Sequence, residues 1–259
     1  MLFENKVVII TGAGSGIGKE TAAAFAAEGA KIVIAEFNEV SGKKTEQELQ
    51  EKGAEALFIQ TDVSSSESVL RLIDMVEREY GSIDVLVNNA GIEYFTSIEE
   101  TTEEQWDRTF DVNAKGTFLG IKYVLPIMKI QGKGSIVNVS SVAGIAAWPG
   151  LGVYSASKGG VVLLTKAAAA EYGKYGIRVN CVCPGSVRTP LLEKEFFGKV
   201  ENPELAEKEL LKGNPLKKFA HPKEIAETIL FLASDKASFV TGHALVADAG
   251  ISSFVGDLL

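Results

Sequence analysis

Tyr154 and Lys158 stand four residues apart in Tyr-Ser-Ala-Ser-Lys, at the head of a segment with helical spacing of its apolar residues. Residues i and i+4 of a helix share one face, so the phenol and the ammonium can point into the same site. A cation beside a phenol favours the phenolate and lowers its pKa from the ordinary value of about 10. A tyrosine tuned in this way can give and take a proton near working pH. The same spacing also occurs on ordinary amphipathic helices, so the pair gains meaning only from the elements that would position it.

A second group of residues points to a phosphate-bearing ligand. Thr11-Gly12-Ala13-Gly14-Ser15-Gly16-Ile17-Gly18 follows a β-branched run and opens a helical pattern. Ile17 occupies the place of the third glycine of G-x-G-x-x-G, but the context of strand, glycine turn and helix start is the one a dinucleotide loop requires. Glycines allow the tight turn and close backbone approach, and the helix start offers unpaired N–H groups to a pyrophosphate. Glu36 directly follows the next strand, where a dinucleotide fold places an acid for the ribose 2′-hydroxyl. A carboxylate there repels a 2′-phosphate, and no Arg or Lys stands at Phe37, Asn38 or in the glycine loop, so the reading favours NAD over NADP. Glu36 could instead be a solvated acid at a strand end. Asp62 either accepts from an adenine amino group or starts a turn before Ser64, and Asn88-Asn89-Ala90-Gly91 brings small and polar backbone to the same edge.

The carriers of these residues alternate regularly. Val7–Thr11, Lys31–Ala35, Ala56–Gln60, Val85–Asn88, Ser135–Val139, Arg178–Cys183 and Ala244–Ala247 read as strands, most of them apolar on both faces. Ile17–Glu28, Val40–Lys52, Ser66–Tyr80, Glu103–Gln131, Tyr154–Tyr172 and Pro222–Ala233 read as helices. Ser64 with Glu67 and Thr101 with Glu104 match capping boxes, Pro222 suits a first helical position, and His221 suits the cap before it. Repeated β-α-β units with right-handed crossovers predict one α/β domain over residues 1–259: a Rossmann-like, doubly wound parallel sheet of about seven strands with helices on both faces. Its ligand crevice lies at the carboxyl ends of the strands. Residues 187–214, charged and amphipathic after a Pro-Gly turn, form either a lid over that crevice or a surface excursion.

Composition narrows the class. In 259 residues, 46% are hydrophobic and 23% charged, an ordinary globular balance, and the net charge of −8 argues against a nucleic-acid partner. Cys181 and Cys183 lie two apart on one strand, badly placed for a disulfide, and no cluster of His and Cys suggests a metal. His243, like His221, reads as structural. Free thiols, no signal-peptide pattern at the N-terminus and no long uncharged stretch suited to a membrane span predict a cytoplasmic protein without a membrane partner.

Taken together, these motifs resemble the short-chain dehydrogenase/reductase family. Thr-Gly-x-x-x-Gly-x-Gly at Thr11, Asn-Asn-Ala-Gly at Asn88, Asn113, Ser141, Tyr-x-x-x-Lys at Tyr154 and Pro-Gly at Pro184 occur in the family's order. The resemblance implies a nicotinamide cofactor and a homotetramer. It implies that Tyr154 is the acid/base, that Lys158 lowers its pKa and binds the nicotinamide ribose, that Ser141 bonds the substrate oxygen, and that Asn113 holds a water of the proton relay. Without it, Ser141 reads as a strand-end turn residue and Asn113 as a helix-interior amide. Cofactor contacts fall on Gly12, Ser15, Gly16, Ile17, Glu36, Asp62, Val63, Asn89, Ala90, Gly91, Pro184, Gly185, Val187 and Thr189, together with Tyr154 and Lys158. Asp248-Ala249-Gly250 departs from the family's frequent Asp-Gly-Gly, at a turn expected to lie far from the chemistry.

The substrate is less legible, because Glu93–Thr96, Ala143–Leu151 and residues 187–214 should supply its contacts. Gly91-Ile92-Glu93, Ala147-Trp148-Pro149 and Thr189-Pro190-Leu191 are most similar to NAD-dependent members such as dihydroanticapsin dehydrogenases, which implies a ring-borne secondary alcohol or its ketone. Glu93 and Trp148 either shape a polar pocket with one aromatic wall or pack at a subunit contact. The rival readings are an NADPH-dependent 3-oxoacyl-carrier-protein reductase, against which Glu36 argues, and a dinucleotide-binding sensor without turnover.

Overall fold

Seven strands carry the frame: β1 (Val7–Thr11), β2 (Lys31–Glu36), β3 (Ala56–Gln60), β4 (Val85–Asn88), β5 (Gly134–Val139), β6 (Ile177–Pro184) and β7 (Ala244–Ala247). In the computed structural model, which describes residues 1–253, they form one parallel sheet in the order β3-β2-β1-β4-β5-β6-β7. The order reverses beside β1, which pairs with both β2 and β4, so a crevice opens there at the carboxyl ends of the strands.

Period-two alternation along each strand feeds two cores. On β1, Val8 and Ile10 pack on one side with Ile32, Val87, Phe25 and Ile229, while Val7 and Ile9 pack on the other with Leu72, Leu86, Val124 and Met128. The first side is covered by α1 (Gly16–Ala27) and α9 (Pro222–Ala233), the second by α3 (Ser66–Tyr80) and α5 (Gly116–Gln131), with α2 (Glu39–Gln50) beside β3 and α6 (Gly152–Tyr172) beside β6. No helix among the described residues is long and apolar enough to cross a membrane. Cys181 and Cys183 are buried free thiols packed with Val162.

Three local expectations are corrected. The helix expected over Glu103–Gln131 is broken into α4 (Glu103–Phe110), a π-helical turn over Asp111–Lys115, and α5. The Gly116 N–H reaches back to the Asp111 carbonyl, which inserts one extra residue into the ladder. Apolar spacing on both sides of the insertion remains helical, so periodicity alone does not show it. The cap of α3 is Ser65, which accepts from Ser68 N at 3.3 Å. Ser64 instead bonds Asp62, its N–H and Oγ donating to Oδ1 at 2.9 and 2.6 Å. Thr102, not Thr101, caps α4 in a box with Gln105, while the Thr101 hydroxyl donates to the Ser97 carbonyl at 2.7 Å. In both pairs two adjacent hydroxyls compete, and tertiary position decides which one caps. His221 does cap α9, in a box with Glu224 and with Pro222 at the first turn.

The segment 187–214 is folded rather than loose. It holds α7 (Pro190–Glu195), capped by Thr189, and α8 (Pro203–Lys212), capped by Asn202. Arg188 ties the two helices by pairing with Glu193 at 3.0 Å and Glu207 at 2.6 Å.

Candidate active site

The glycine turn is built by contacts that side chains would block. Gly12 has φ of +66°, and a Cβ there would stand 2.9 Å from the Ala90 Cα. That proximity is fixed by Thr11, whose hydroxyl accepts from the N–H groups of Asn89 and Ala90, each at 3.0 Å. Asn89 Nδ2 donates in return to the carbonyls of Thr11 and Gly12 at 2.9 and 3.1 Å. The ends of β1 and β4 are thereby locked edge to edge. Ser15 begins α1 without a side-chain cap, and no acid lies in the first turn, so the helix start keeps donors available to an anionic ligand. Glu36, at the end of β2, accepts from Gly14 N at 2.9 Å and Asn38 N at 3.0 Å. Its carboxylate is therefore fixed at the lip of the turn.

The chemistry-bearing side chains meet on the other side of the switch point. The Lys158 ammonium is 3% exposed, donates to the Val139 carbonyl at 2.9 Å and lies 5.7 Å from the centre of the Tyr154 ring. Ser140 anchors this helix turn by donating to the Lys158 carbonyl at 2.8 Å. Ser141 lies next to it at the end of β5, and its hydroxyl accepts from Ala143 N at 3.1 Å. A buried polar ladder stiffens the floor behind: Asn88 donates to Asn138 at 2.9 Å, and Asn138 to Thr165 on α6 at 2.9 Å.

Asn113, carried by the π turn, is fully buried and does not line the cavity. Its Oδ1 accepts from Ile92 N and its Nδ2 donates to the Ile92 carbonyl, both at 2.9 Å, with a further bond to Ser157 at 3.1 Å. The side chain is thus spent holding the loop that follows β4. This is a positioning task, and it agrees with the plain reading of an amide that satisfies backbone. Gly91 makes room for it, since a Cβ there would meet Lys158 Nζ at 3.2 Å and Asn113 Oδ1 at 3.3 Å.

One cavity of about 600 Å³ joins these parts, a size in the range of cofactor and ligand sites. It is lined by Gly12, Ser15, Gly16, Ile17, Glu36, Asp62, Val63, Asn89, Ala90 and Gly91 at one end. Ser141, Tyr154, Lys158, Pro184, Gly185, Val187 and Thr189 line the other. Glu93 and Trp148 also line it, in keeping with the pocket-wall reading of the two. Phe95 and Leu210 line it from the two segments expected to supply substrate contacts, whereas sequence reasoning missed Arg108 and Ile251, which line it too. Arg108 donates to Ser64 Oγ at 3.1 Å, beside Asp62. Neither Arg108 nor Ile251 carries a local signal, because each is brought in by an element remote in sequence. Thr11 was legible only as part of a motif, although a hydroxyl at a strand end before a glycine turn is a recognisable anchor.

Two further expectations need correction. The turn at Asp248 is close to the site: a Cβ on Gly185 would stand 2.7 Å from the Asp248 Cα, and Ile251, three residues on, is part of the cavity wall. Asp248 shapes this turn by accepting from Gly250 N and Ser252 N at 2.8 Å each. Burial, rather than Lys158, comes first in setting the Tyr154 pKa. Loss of solvent pushes the phenol above its ordinary value, the charge of Glu93 adds to the rise, and the Ser141 hydroxyl opposes it. Loss of solvent also pushes Lys158 down to about 8, against the charge of Glu93. Spacing puts the two groups together, but burial sets the order in which they lose protons.

The family model described as Enoyl-(Acyl carrier protein) reductase matches residues 12–252. The 3-oxoacyl-[acyl-carrier-protein] reductase FabG of Thermotoga maritima is 41% identical over 97% of this chain and 99% of its own length. The cyclopentanol dehydrogenase of Comamonas sp. (strain NCIMB 9872) is 38% identical over 96% of this chain and 98% of its own. The crystal structure of levodione reductase superposes with a TM-score of 0.94 at 38% identity, covering 97% of this chain and 99% of that one. Motif order, sheet topology and these likenesses agree: the chain belongs to the short-chain dehydrogenase/reductase family of nicotinamide-dinucleotide-dependent oxidoreductases.

Proposed function

We propose that the protein is an NAD-dependent dehydrogenase that interconverts a secondary alcohol, ring-borne or sugar-like, and its ketone. The observation that carries this reading is the single cavity that has the glycine turn with Glu36 at one end and Ser141, Tyr154 and Lys158 at the other. The chain's own groups fit the cofactor. The α1 start and the turn around Gly12 take the pyrophosphate, Glu36 takes a ribose 2′-hydroxyl, Asp62 and Val63 flank the adenine, and Pro184, Gly185, Val187 and Thr189 flank the nicotinamide end. When bound, the nicotinamide ring supplies hydride transfer.

The protein's own work is then to align and to move one proton. Ser141 orients the substrate oxygen, Tyr154 Oη exchanges the proton with it, and Lys158 provides a positive charge that accompanies the phenolate. Asn113 keeps the Ile92 backbone, and with it one wall of the site, in place. Residues 187–214 serve as the substrate lid, with α7 and α8 held as a unit by Arg188. The protein is read as a cytoplasmic homotetramer with a small-molecule partner. Exposed Phe239 and the half-exposed Trp106, stacked on Phe110 at 4.5 Å, support burial of surface between subunits, and light scattering after size-exclusion chromatography tests it.

The second reading, a 3-oxoacyl-carrier-protein reductase using NADPH, is favoured by the 41% identity to FabG. The position of Glu36 speaks against it, since a fixed carboxylate at the end of β2 repels a 2′-phosphate. Initial rates with NAD and NADP on a panel of cyclic alcohols, sugars and hydroxy acids, and with NADH and NADPH on a 3-oxoacyl thioester, separate the two. A strong NADPH preference with the thioester and no alcohol oxidation would sink the first reading.

A further inference from the structure

Glu93 is the acid for which the cofactor and the proton transfer leave no task. It lies in the loop after β4, lines the cavity, and acts electrostatically on both Tyr154 and Lys158. Among the described residues it makes no side-chain hydrogen bond or ion pair. The two cations nearest to it in effect are already engaged. Lys158 donates to the Val139 carbonyl at 2.9 Å, and Lys199 to Glu195 at 2.7 Å.

Part of the cavity it lines is apolar and built. Phe95, Trp148, Leu151, Leu191, Leu192 and Phe196 line the same cavity. The rings of Phe95 and Phe196 meet edge to face at 5.2 Å, joining the loop after β4 to the segment after α7. Thr96 N donates to the Gly150 carbonyl at 2.9 Å, which pins the same loop to the turn before α6. Glu93 is thus a half-buried carboxylate sharing a cavity with the reacting groups and several apolar side chains, where a substrate donor that meets it is selected.

Resting on the reading of the site as a secondary-alcohol dehydrogenase, we propose that Glu93 determines its substrate class: an alcohol that carries, besides the reacting carbinol, a second hydrogen-bond donor on an otherwise apolar ring. The donor is a hydroxyl or an ammonium, and the carboxylate accepts from it. Burial, which pushes the Glu93 carboxyl up to about 6, is the same desolvation that a substrate donor relieves. A simple cyclic alcohol leaves the carboxylate unmet in the closed complex and loses that gain.

The test is the ratio of kcat/KM values for the isomeric cyclohexanediols and aminocyclohexanols against cyclohexanol, measured with the wild type, Glu93→Gln and Glu93→Leu. NADH binding is followed by fluorescence as the control for folding. The wild type should favour at least one difunctional alcohol by about tenfold or more, the magnitude of a hydrogen bond to a charged group. Glu93→Leu should level or invert that ratio. Glu93→Gln, nearly isosteric, should reduce a diol ratio a few-fold and an amino-alcohol ratio much further, which also tells the two donors apart. Ratios unchanged in both variants, or a wild type indifferent to the second group, overturn the proposal while leaving the dehydrogenase reading intact. No NADH from any alcohol sinks that reading and the proposal with it.

Discussion

The Lys158 ammonium lies 5.7 Å from the centre of the Tyr154 ring, and in this pair the lysine, held near 8, is the more acidic partner. The phenol is pushed the other way. As pH rises, the lysine is therefore the first of the two to give up a proton. Oxidation needs the pair with one proton fewer, so its rate should rise with pH through an apparent value near 8, and ketone reduction should fall over the same range. The pH profile of kcat/KM for alcohol oxidation checks this, and Lys158→Met should abolish the limb. A limb that persists unchanged in Lys158→Met would detach the lysine from the proton transfer.

Replacing Tyr154 by Phe removes the proposed proton carrier and leaves the rest of the wall in place. Turnover should fall by about 10²-fold or more, the usual contribution of a positioned acid/base. Tyr154→Phe should still bind NADH within a few-fold of the wild type, because the glycine turn and Glu36 are untouched. Fluorescence titration and steady-state rates on the same preparation give both numbers. Wild-type turnover in this variant would remove Tyr154 from the mechanism.

What the sequence showed and what it hid have separate physical origins. Val7–Thr11 and Val85–Asn88 were legible because central parallel strands are apolar on both faces, and the glycine turn because few other uses need that spacing. The site residues on strand ends followed from topology, since a parallel sheet gathers its carboxyl ends at one edge. Asn113 was found by motif, but its side-chain bonds to Ile92 were not, because the π turn that aims it there leaves no mark on apolar spacing. Ile251 and Arg108 reach the cavity only through tertiary packing. The Tyr154 and Lys158 pair was found by its spacing, but the burial that comes first in setting both pKa values was not, because desolvation is a property of the folded wall.

Lys158 also predicts a conflict between stability and function. Its pKa is lowered from 10.5 to about 8 on folding. Below pH 8 it is protonated in both the folded and unfolded states, and burying the charge costs about 3 kcal/mol. Between about 8 and 10.5 the unfolded chain binds more protons than the folded one, so stability rises with pH and the cost fades. Lys158→Met should therefore melt several degrees higher than the wild type at pH 7, offset in part by the lost bond to Val139, and the gap should narrow toward pH 10. Thermal melts across this range decide it, and a gap independent of pH would be the contrary result.

The proposed preference for NAD rests on the position of Glu36 rather than on the loop's glycines. It is held by Gly14 N and Asn38 N, and no cation stands at Phe37 or Asn38 to meet a 2′-phosphate. Glu36→Ser should weaken the preference for NAD, and adding Phe37→Arg should bring NADP forward, together changing the ratio of kcat/KM values by about two orders of magnitude. If the wild type already favours NADP, the 2′-phosphate is met elsewhere, and Arg108 on the cavity wall is the residue to replace first.

Ala249 offers a prediction independent of the chemistry. It sits at φ of +58°, between Asp248, which packs on Gly185, and Gly250. A left-handed alanine costs about 1–2 kcal/mol, whereas glycine pays roughly 0.4–1 kcal/mol in unfolded-chain entropy. Ala249→Gly should then gain a fraction of a kcal/mol up to about 1, a rise in Tm of about 1–3 °C in a chain of this size. The turn lies against Gly185 and positions Ile251 on the cavity wall, so a looser backbone there should act on substrate rather than on cofactor. An increase in KM for the alcohol with an unchanged Kd for NADH is expected. A variant that melts lower than the wild type would show that the alanine methyl packs usefully and that its backbone is unstrained.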